Sequence, residues 1–260
     1  MDKLIDVHRY EGGILLLVLN RPQAANALSK QLLSELTAEI AKISLDSSIR
    51  CVLITGTGEK AFCAGADLKE RLEMNEVEVR QAVSSIRDAI NAVEKMPQPV
   101  IAAINGAAFG GGLELALACD IRIAAEQAKM GLTETSLGII PGAGGTQRLP
   151  RIIGVSAAKE LIFTARRLSA RDAEQLGIIS RTVPADELLS AGLELAREIV
   201  KNAPLALQAA KKAINNGTET DLATGLRIEE MCYETTIHSE DRKEGLQAFK
   251  EKREPIYTGK

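Results

Sequence analysis

Asn105-Gly106-Ala107-Ala108-Phe109-Gly110-Gly111-Gly112-Leu113-Glu114 is the stretch that decides how this chain is read. Upstream, Val100–Ile104 follows the breaks at Pro97 and Pro99 and reads as a buried strand. Downstream, Leu113–Cys119 reads as an apolar helix and Ile121–Ala124 as a further strand. Three consecutive glycines at such a junction leave backbone N–H groups uncovered where a helix begins, a place that favours negative charge. The same glycines also suit a tight turn with dihedrals closed to other residues. The spacing excludes the nucleotide loops, since neither G-x-G-x-x-G nor G-x-x-x-x-G-K-[ST] occurs here. Glu114 is the only charged residue between Ile101 and Asp120. A carboxylate in that setting needs a partner. An ion pair with Arg122 or Arg148 is one answer, and a catalytic role is the other.

Working outward, strands and helices alternate, which argues for an α/β core. Leu4–Arg9 and Ile14–Leu19 flank Gly12-Gly13 and read as a hairpin. Ser29 opens a helix whose Leu32, Leu33, Leu36, Ile40 and Ile43 form one apolar stripe. Cys51–Thr55 is a short buried strand, and Glu76–Lys95 an amphipathic helix with Val83, Ile86, Ile90 and Val93 inward. Past Val183 the pattern becomes helical, near Glu187–Lys201, Leu205–Asn215, Asp221–Thr236 and Arg242–Lys252. The expected organisation is a core over residues 1–195 and a helical region over 196–260.

Two more segments sit beside glycines. Ala61-Phe62-Cys63-Ala64-Gly65-Ala66-Asp67-Leu68 is small and apolar, suited either to close backbone approach to a ligand or to a tight packing turn. Glu134 precedes the turn Pro141-Gly142-Ala143-Gly144-Gly145; alone it reads as a helix-start or loop glutamate. Composition removes other classes. With two histidines, His8 and His238, and four scattered cysteines, a metal centre or a histidine triad is not expected. A net charge of -3 gives no basic footprint for nucleic acid. No apolar run is long enough to span a bilayer, and Met1–Gly13 lacks a signal-peptide pattern, so a cytoplasmic location is expected.

Four ordered motifs together resemble the crotonase, or enoyl-CoA hydratase/isomerase, family along nearly the whole chain: Asn20-Arg21-Pro22 with Asn26-Ala27-Leu28, Phe62–Lys69, Gly110–Ala116 and Ile140–Leu149. The resemblance implies an α/β fold, a spiral of ββα units with a helical C-terminal trimerisation region, and trimers that pair into hexamers. It implies a lyase that adds water to an enoyl-CoA thioester and gives 3-hydroxyacyl-CoA. By that resemblance Glu114 and Glu134 are the catalytic carboxylates, and the N–H groups of Ala66 and Gly111 form an oxyanion hole. Ala24, Ala64, Asp67, Leu68, Lys69 and Gly110 are the implied substrate and CoA contacts, with Lys252 reaching CoA of an adjacent subunit. No cofactor is implied, because coenzyme A is part of the substrate. Cys63–Arg71, Leu113–Ile123, Ala128–Thr135 and Ala248–Arg253 resemble the 3-methylglutaconyl-CoA hydratases of leucine degradation. Some of those bind RNA through a lysine-rich helix. Here the matching helix sets Lys30 and Lys42 against Glu35 and Glu39, and RNA is not an expected partner. A 3-methylglutaconyl group ends in a second carboxylate, for which Arg71 and Arg80 are candidate partners.

Overall fold

The computed structural model describes residues 3–260. β1 (Ile5–Tyr10) and β2 (Ile14–Leu19) pair antiparallel, with Ile5 opposite Leu19 and Tyr10 opposite Ile14. Gly12 and Gly13 turn the corner at φ 76° and 79°, which a residue with a side chain adopts only under strain. α1 (Lys30–Leu45) starts where the Ser29 hydroxyl accepts the Leu32 N–H at 3.2 Å, and it buries the five expected stripe residues. Then follow β3 (Cys51–Gly56), β4 (Ala61–Cys63), α2 (Leu68–Leu72) and α3 (Glu76–Glu94). The next turn is β5 (Val100–Ile104), β6 (Ala107–Phe109) and α4 (Gly111–Leu117). The third is β7 (Ile121–Ala125), β8 (Lys129–Gly131), α5 (Gly145–Ile153) and α6 (Val155–Phe163). β9 (Leu168–Ser169), α7 (Ala170–Gln175) and β10 (Arg181–Val183) close the core. α8 (Leu188–Val200), α9 (Pro204–Gly217), α10 (Leu222–Ile237) and α11 (Glu240–Glu251) complete the chain.

Two sheets emerge from that order. One runs β1-β2-β3-β5-β7-β10, parallel apart from the opening hairpin, and the other runs β4-β6-β8-β9. Each turn gives one strand to the large sheet, the next to the small sheet, and then a helix. That is a ββα spiral. The strands of the small sheet were not read from the residue pattern. They are two or three residues long, too short to show a period of two.

β5 reads Val-Ile-Ala-Ala-Ile and is buried at every position, as a central parallel strand covered on both faces must be. One face packs against α1, α3 and α4, the other against α8 through Leu188, Leu193 and Ala196. Gly192 permits that close approach, since a Cβ there would lie 2.8 Å from the Leu53 side chain. Residue 195 falls inside α8, so the core packing runs on to the end of that helix. Among the described residues no helix is long and apolar enough to cross a membrane.

Candidate active site

Two backbone donors come together where successive turns of the spiral touch. Behind β4, the Leu28 N–H donates to the Gly65 carbonyl at 2.8 Å, and the Asp67 N–H donates to the Leu28 carbonyl at 3.4 Å. This bridge uses the groups on either side of Ala66 and turns its own N–H away. Neither Ala66 N–H nor Gly111 N–H, in the first turn of α4, has a hydrogen-bond acceptor among the described residues. A Cβ on Gly111 would lie 3.7 Å from the Ala66 nitrogen, so the two donors are neighbours. Glycine is needed to seat them. At Gly65, φ is +95° and a Cβ would be 2.7 Å from the Phe109 carbonyl oxygen, while a Cβ on Gly112 would collide with the Cys63 carbonyl. Two neighbouring unpaired N–H groups in a partly buried site are arranged to take negative charge from a carbonyl oxygen.

The carboxylates stand beside these donors. Glu114 is only 2% exposed, and its Oε1 accepts the N–H groups of Ala143 and Gly145, both at 2.8 Å. Neither candidate arginine pairs with it: Arg148 binds Glu94 and Asn91, and Arg122 donates to the carbonyls of Ala116, Cys119 and Ile178. Burial pushes the Glu114 carboxyl above its ordinary range, against the pull of the two N–H groups. A Cβ on Gly145 would lie 3.0 Å from Glu114 Oε1 and 2.8 Å from Leu132, so only glycine lets that N–H reach.

Glu134 opens a short 3-10 turn, Glu134–Leu137, directly after β8. Its Oε1 lies 3.1 Å from where a Cβ on Gly110 would be, and its Oε2 is buried without a hydrogen-bond partner among the described residues. Burial first, and then the nearby charge of Glu114, lift its pKa to about 7 against the pull of its own backbone N–H. The pair therefore differs in kind. One carboxylate is fixed by two donors, and the other holds an unbonded oxygen and a proton affinity near neutrality.

The remaining expected residues fall in two groups. Ala24, Ala64, Leu68, Lys69 and Gly110 border the two oxyanion segments, with Lys69 and Leu68 exposed. Asp67 is instead committed to structure: it pairs with Arg21 and caps α2 by accepting the Lys69 and Glu70 N–H groups. Although burial opposes ionisation, those partners hold its carboxyl below the usual range. Lys252 ends α11 in the left-handed region, exposed and untied to the other site residues by any hydrogen bond or ion pair among the described residues. The sequence reading did not foresee the Ala143 and Gly145 clamp, because backbone donors leave no residue-type signal. It named Asn26 within a motif but not its role: fully buried, it joins Arg21 N–H to the carbonyls of Thr57 and Ala61 and fixes the loop that carries Leu28.

Comparison with known proteins agrees with this architecture. A family model described as enoyl-CoA hydratase/isomerase matches residues 9–260. A Bacillus subtilis protein that carries a provisional enoyl-CoA hydratase/isomerase name, YngF, is 58% identical over 94% of each chain. The mitochondrial methylglutaconyl-CoA hydratase of Mus musculus is 54% identical over 95% of this chain and 80% of its own. A crystal structure of enoyl-CoA hydratase from Bacillus anthracis superposes with a TM-score of 0.98 at 56% identity, covering 99% of this chain and all of that one. With a family model spanning nearly its whole length and relatives above half identity, this chain belongs to the enoyl-CoA hydratase/isomerase family.

Proposed function

We propose that the protein is an enoyl-CoA hydratase in which Glu114 and Glu134 share the handling of one water. The observation that carries this is the pair itself: the buried Glu114 and the half-buried Glu134, carboxylates in unlike environments, beside two unpaired N–H groups. An enoyl thioester becomes electrophilic at Cβ when its carbonyl oxygen can take negative charge. The N–H groups of Ala66 and Gly111 supply that, and losing one such donor costs about 2.7 to 4 kcal/mol of transition-state stabilisation. Glu114, fixed through Oε1, orients the water and, in its carboxylate form, accepts its proton as the oxygen bonds to Cβ. Glu134, carrying a proton at a pKa of about 7, delivers it to Cα. One proton is taken and one is given, and the pair is reset when a proton passes from Glu114 to Glu134.

Ala24, Ala64, Leu68, Lys69 and Gly110 are proposed to border the thioester and CoA, with Asp67 holding that segment in place. Lys252 is proposed to serve a neighbouring subunit. Coenzyme A enters as part of the substrate, and no further cofactor is invoked. The proposed acyl group is 3-methylglutaconyl, the substrate named for the mouse relative, which places the reaction in leucine degradation. Assembly into trimers or hexamers and a cytoplasmic location belong to the same proposal. RNA is not a proposed partner, because on α1 Lys42 is paired with Glu39, and Glu35 accepts Gln31 and the Leu4 N–H.

The test is hydration of crotonyl-CoA and 3-methylglutaconyl-CoA, followed by loss of the conjugated thioester absorbance. Glu114→Gln and Glu134→Gln are each expected to slow it by about a hundredfold to ten-thousandfold. Near-normal rates in both variants would overturn the two-glutamate mechanism. A shifted double bond in place of a 3-hydroxyacyl product would make the enzyme an isomerase.

A further inference from the structure

Ala143 is held at both ends by side chains. Its N–H donates to Glu114 Oε1 at 2.8 Å, and its carbonyl accepts from Arg148 Nη1 at 3.0 Å, with no other donor to that carbonyl among the described residues. The segment around it needs outside support. Residues 138–144 lie between the 3-10 turn at Glu134 and α5, outside any helix or strand, with glycine at 138, 142 and 144. Ile139 and Ile140 in the same segment are each at least half exposed.

Arg148 supplies that support from near the start of α5. Its guanidinium reaches α3, where Nε and Nη2 donate to the two carboxylate oxygens of Glu94 at 2.9 and 2.7 Å, and Nη2 donates also to Asn91 Oδ1 at 2.8 Å. Pairing of this two-pronged kind fixes the plane of the guanidinium. α3 is itself anchored in the core by Ile86, Ile90 and Val93. Gly144, at φ +106°, leaves the space that the guanidinium occupies, because a Cβ there would collide with it. An ion pair bracing α3 against α5 accounts for the Glu94 contact alone. It requires neither the bond to the Ala143 carbonyl nor a bare Gly144.

The charge of Arg148 acts on the same group. Around α4 the titratable groups are Cys63 on β4, Glu94 on α3, Arg148 on α5 and Glu134 after β8, with Cys119, Arg122 and the Lys211–Asp120 pair at the far end of the helix. Burial pushes the Cys63 thiol up to about 12, so it is neutral. Burial also raises the Glu114 carboxyl, while the Gly145 and Ala143 N–H groups and then the charge of Arg148 lower it. Without Arg148, Glu114 reaches its carboxylate form only at higher pH.

Resting on the hydratase reading above, we propose that Arg148 is a positioning residue: it fixes Ala143 by its carbonyl, so that the Ala143 and Gly145 N–H groups stay aimed at Glu114 Oε1. The experiment measures kcat, KM and the pH profile of hydration in the full chain, Arg148→Met, Arg148→Lys and Glu94→Gln. The substrate is whichever of crotonyl-CoA and 3-methylglutaconyl-CoA the parent hydrates faster. Arg148→Met is expected to lower kcat by about 10- to 100-fold with KM nearly unchanged, the scale of a small misplacement of a reacting group. The acid limb of its kcat/KM profile is expected to move to higher pH. Arg148→Lys keeps the charge but loses the fork, so its limb stays with the parent's and its kcat falls in between. Glu94→Gln breaks the ion pair yet leaves Arg148 both its charge and the Ala143 carbonyl; its limb should not rise and its kcat should stay close to the parent's.

Equal kcat losses in Arg148→Met and Glu94→Gln, with neither limb moved, would overturn the proposal and leave Arg148 a brace between α3 and α5. A parent-like kcat and limb in Arg148→Met would overturn it outright. If Arg148→Met does not fold, Arg148→Lys decides, and a kcat equal to that of Glu94→Gln overturns the proposal. Glu114→Gln, run alongside, separates this inference from the reading it rests on. A full rate there sinks the hydratase mechanism itself, whereas a crippled Glu114→Gln beside a fully active Arg148→Met sinks this proposal alone.

Discussion

At the scale of single residues, the environment of Glu134 ties chemistry to stability. Its carboxyl titrates at about 7 in the folded chain and in the ordinary carboxylate range when unfolded. The folded state therefore holds this proton more tightly. That contribution is fully present below the unfolded pKa and is lost as pH rises through 7. Glu134→Gln, which carries no ionisable group there, is expected to be more stable than the parent at pH 8 by about 1 to 2 kcal/mol, after allowance for partial solvent screening. Near pH 4.5 the difference should vanish. Thermal melts of the two proteins across that range measure it, and parallel curves would mean that Glu134 titrates normally. The same ionisation should appear in kcat/KM for hydration as a limb that falls above about pH 7, because the ionised form has no proton to deliver. A gain in stability from removing a reactive group is the expected trade at an active site.

At the scale of elements, the site depends on how closely two turns of the spiral approach. Gly112, in the first turn of α4, faces the Cys63 carbonyl at the end of β4 with no room for a Cβ. Gly112→Ala must push α4 away from β4, and with it the Gly111 N–H away from Ala66. The expected result is a loss of about 1 to 3 kcal/mol in denaturant unfolding, the usual size for overpacking against backbone, together with slower hydration. An unchanged midpoint with full activity would show that this junction is slack. The sequence carried part of this arrangement. The stripe on α1, the runs of β3 and β5 and the three glycines before Glu114 were legible, because burial, the positive φ at Gly110 and the close approach at Gly112 constrain residue type. The small sheet and the clamp on Glu114 were not. Strands of two or three residues have no readable period, and the clamp is made by N–H groups that almost any residue possesses. The ion pair open to Glu114 was reasonable for the same cause, since a sequence shows charged partners more readily than backbone ones.

At the scale of the whole molecule, the C-terminal helices cannot account for their own order. Across α9, α10 and α11, Cys232 and Ala248 are the only buried apolar side chains among the described residues. Ile214, Leu226, Met231, Tyr233, Leu246 and Phe249 are each more than half exposed, Phe249 at 86%. α9 and α10 pack on each other through Gly217 and Gly225, which come close enough that a Cβ on either would sit 3.6 Å from the Cα of the other. That contact alone leaves their outer faces bare. Large apolar side chains left exposed in this number on α9, α10 and α11 point to an interaction site, and for a family expected to form trimers the simplest partner is a second copy of the chain. Light scattering on the purified protein is expected to give three or six times the 27.9 kDa chain mass. Phe249→Asp places a charge where the partner's apolar surface would lie, and is expected to lower that mass toward a single chain at micromolar concentration. Because Phe249 is exposed in the isolated chain, the variant should still fold, with a far-ultraviolet circular dichroism spectrum like that of the parent. A parent protein that runs as a stable monomer would refute the assembly, and the bare helices would then need a different partner. An assembled Phe249→Asp protein would move the interface off this residue and onto the face of α9 and α10.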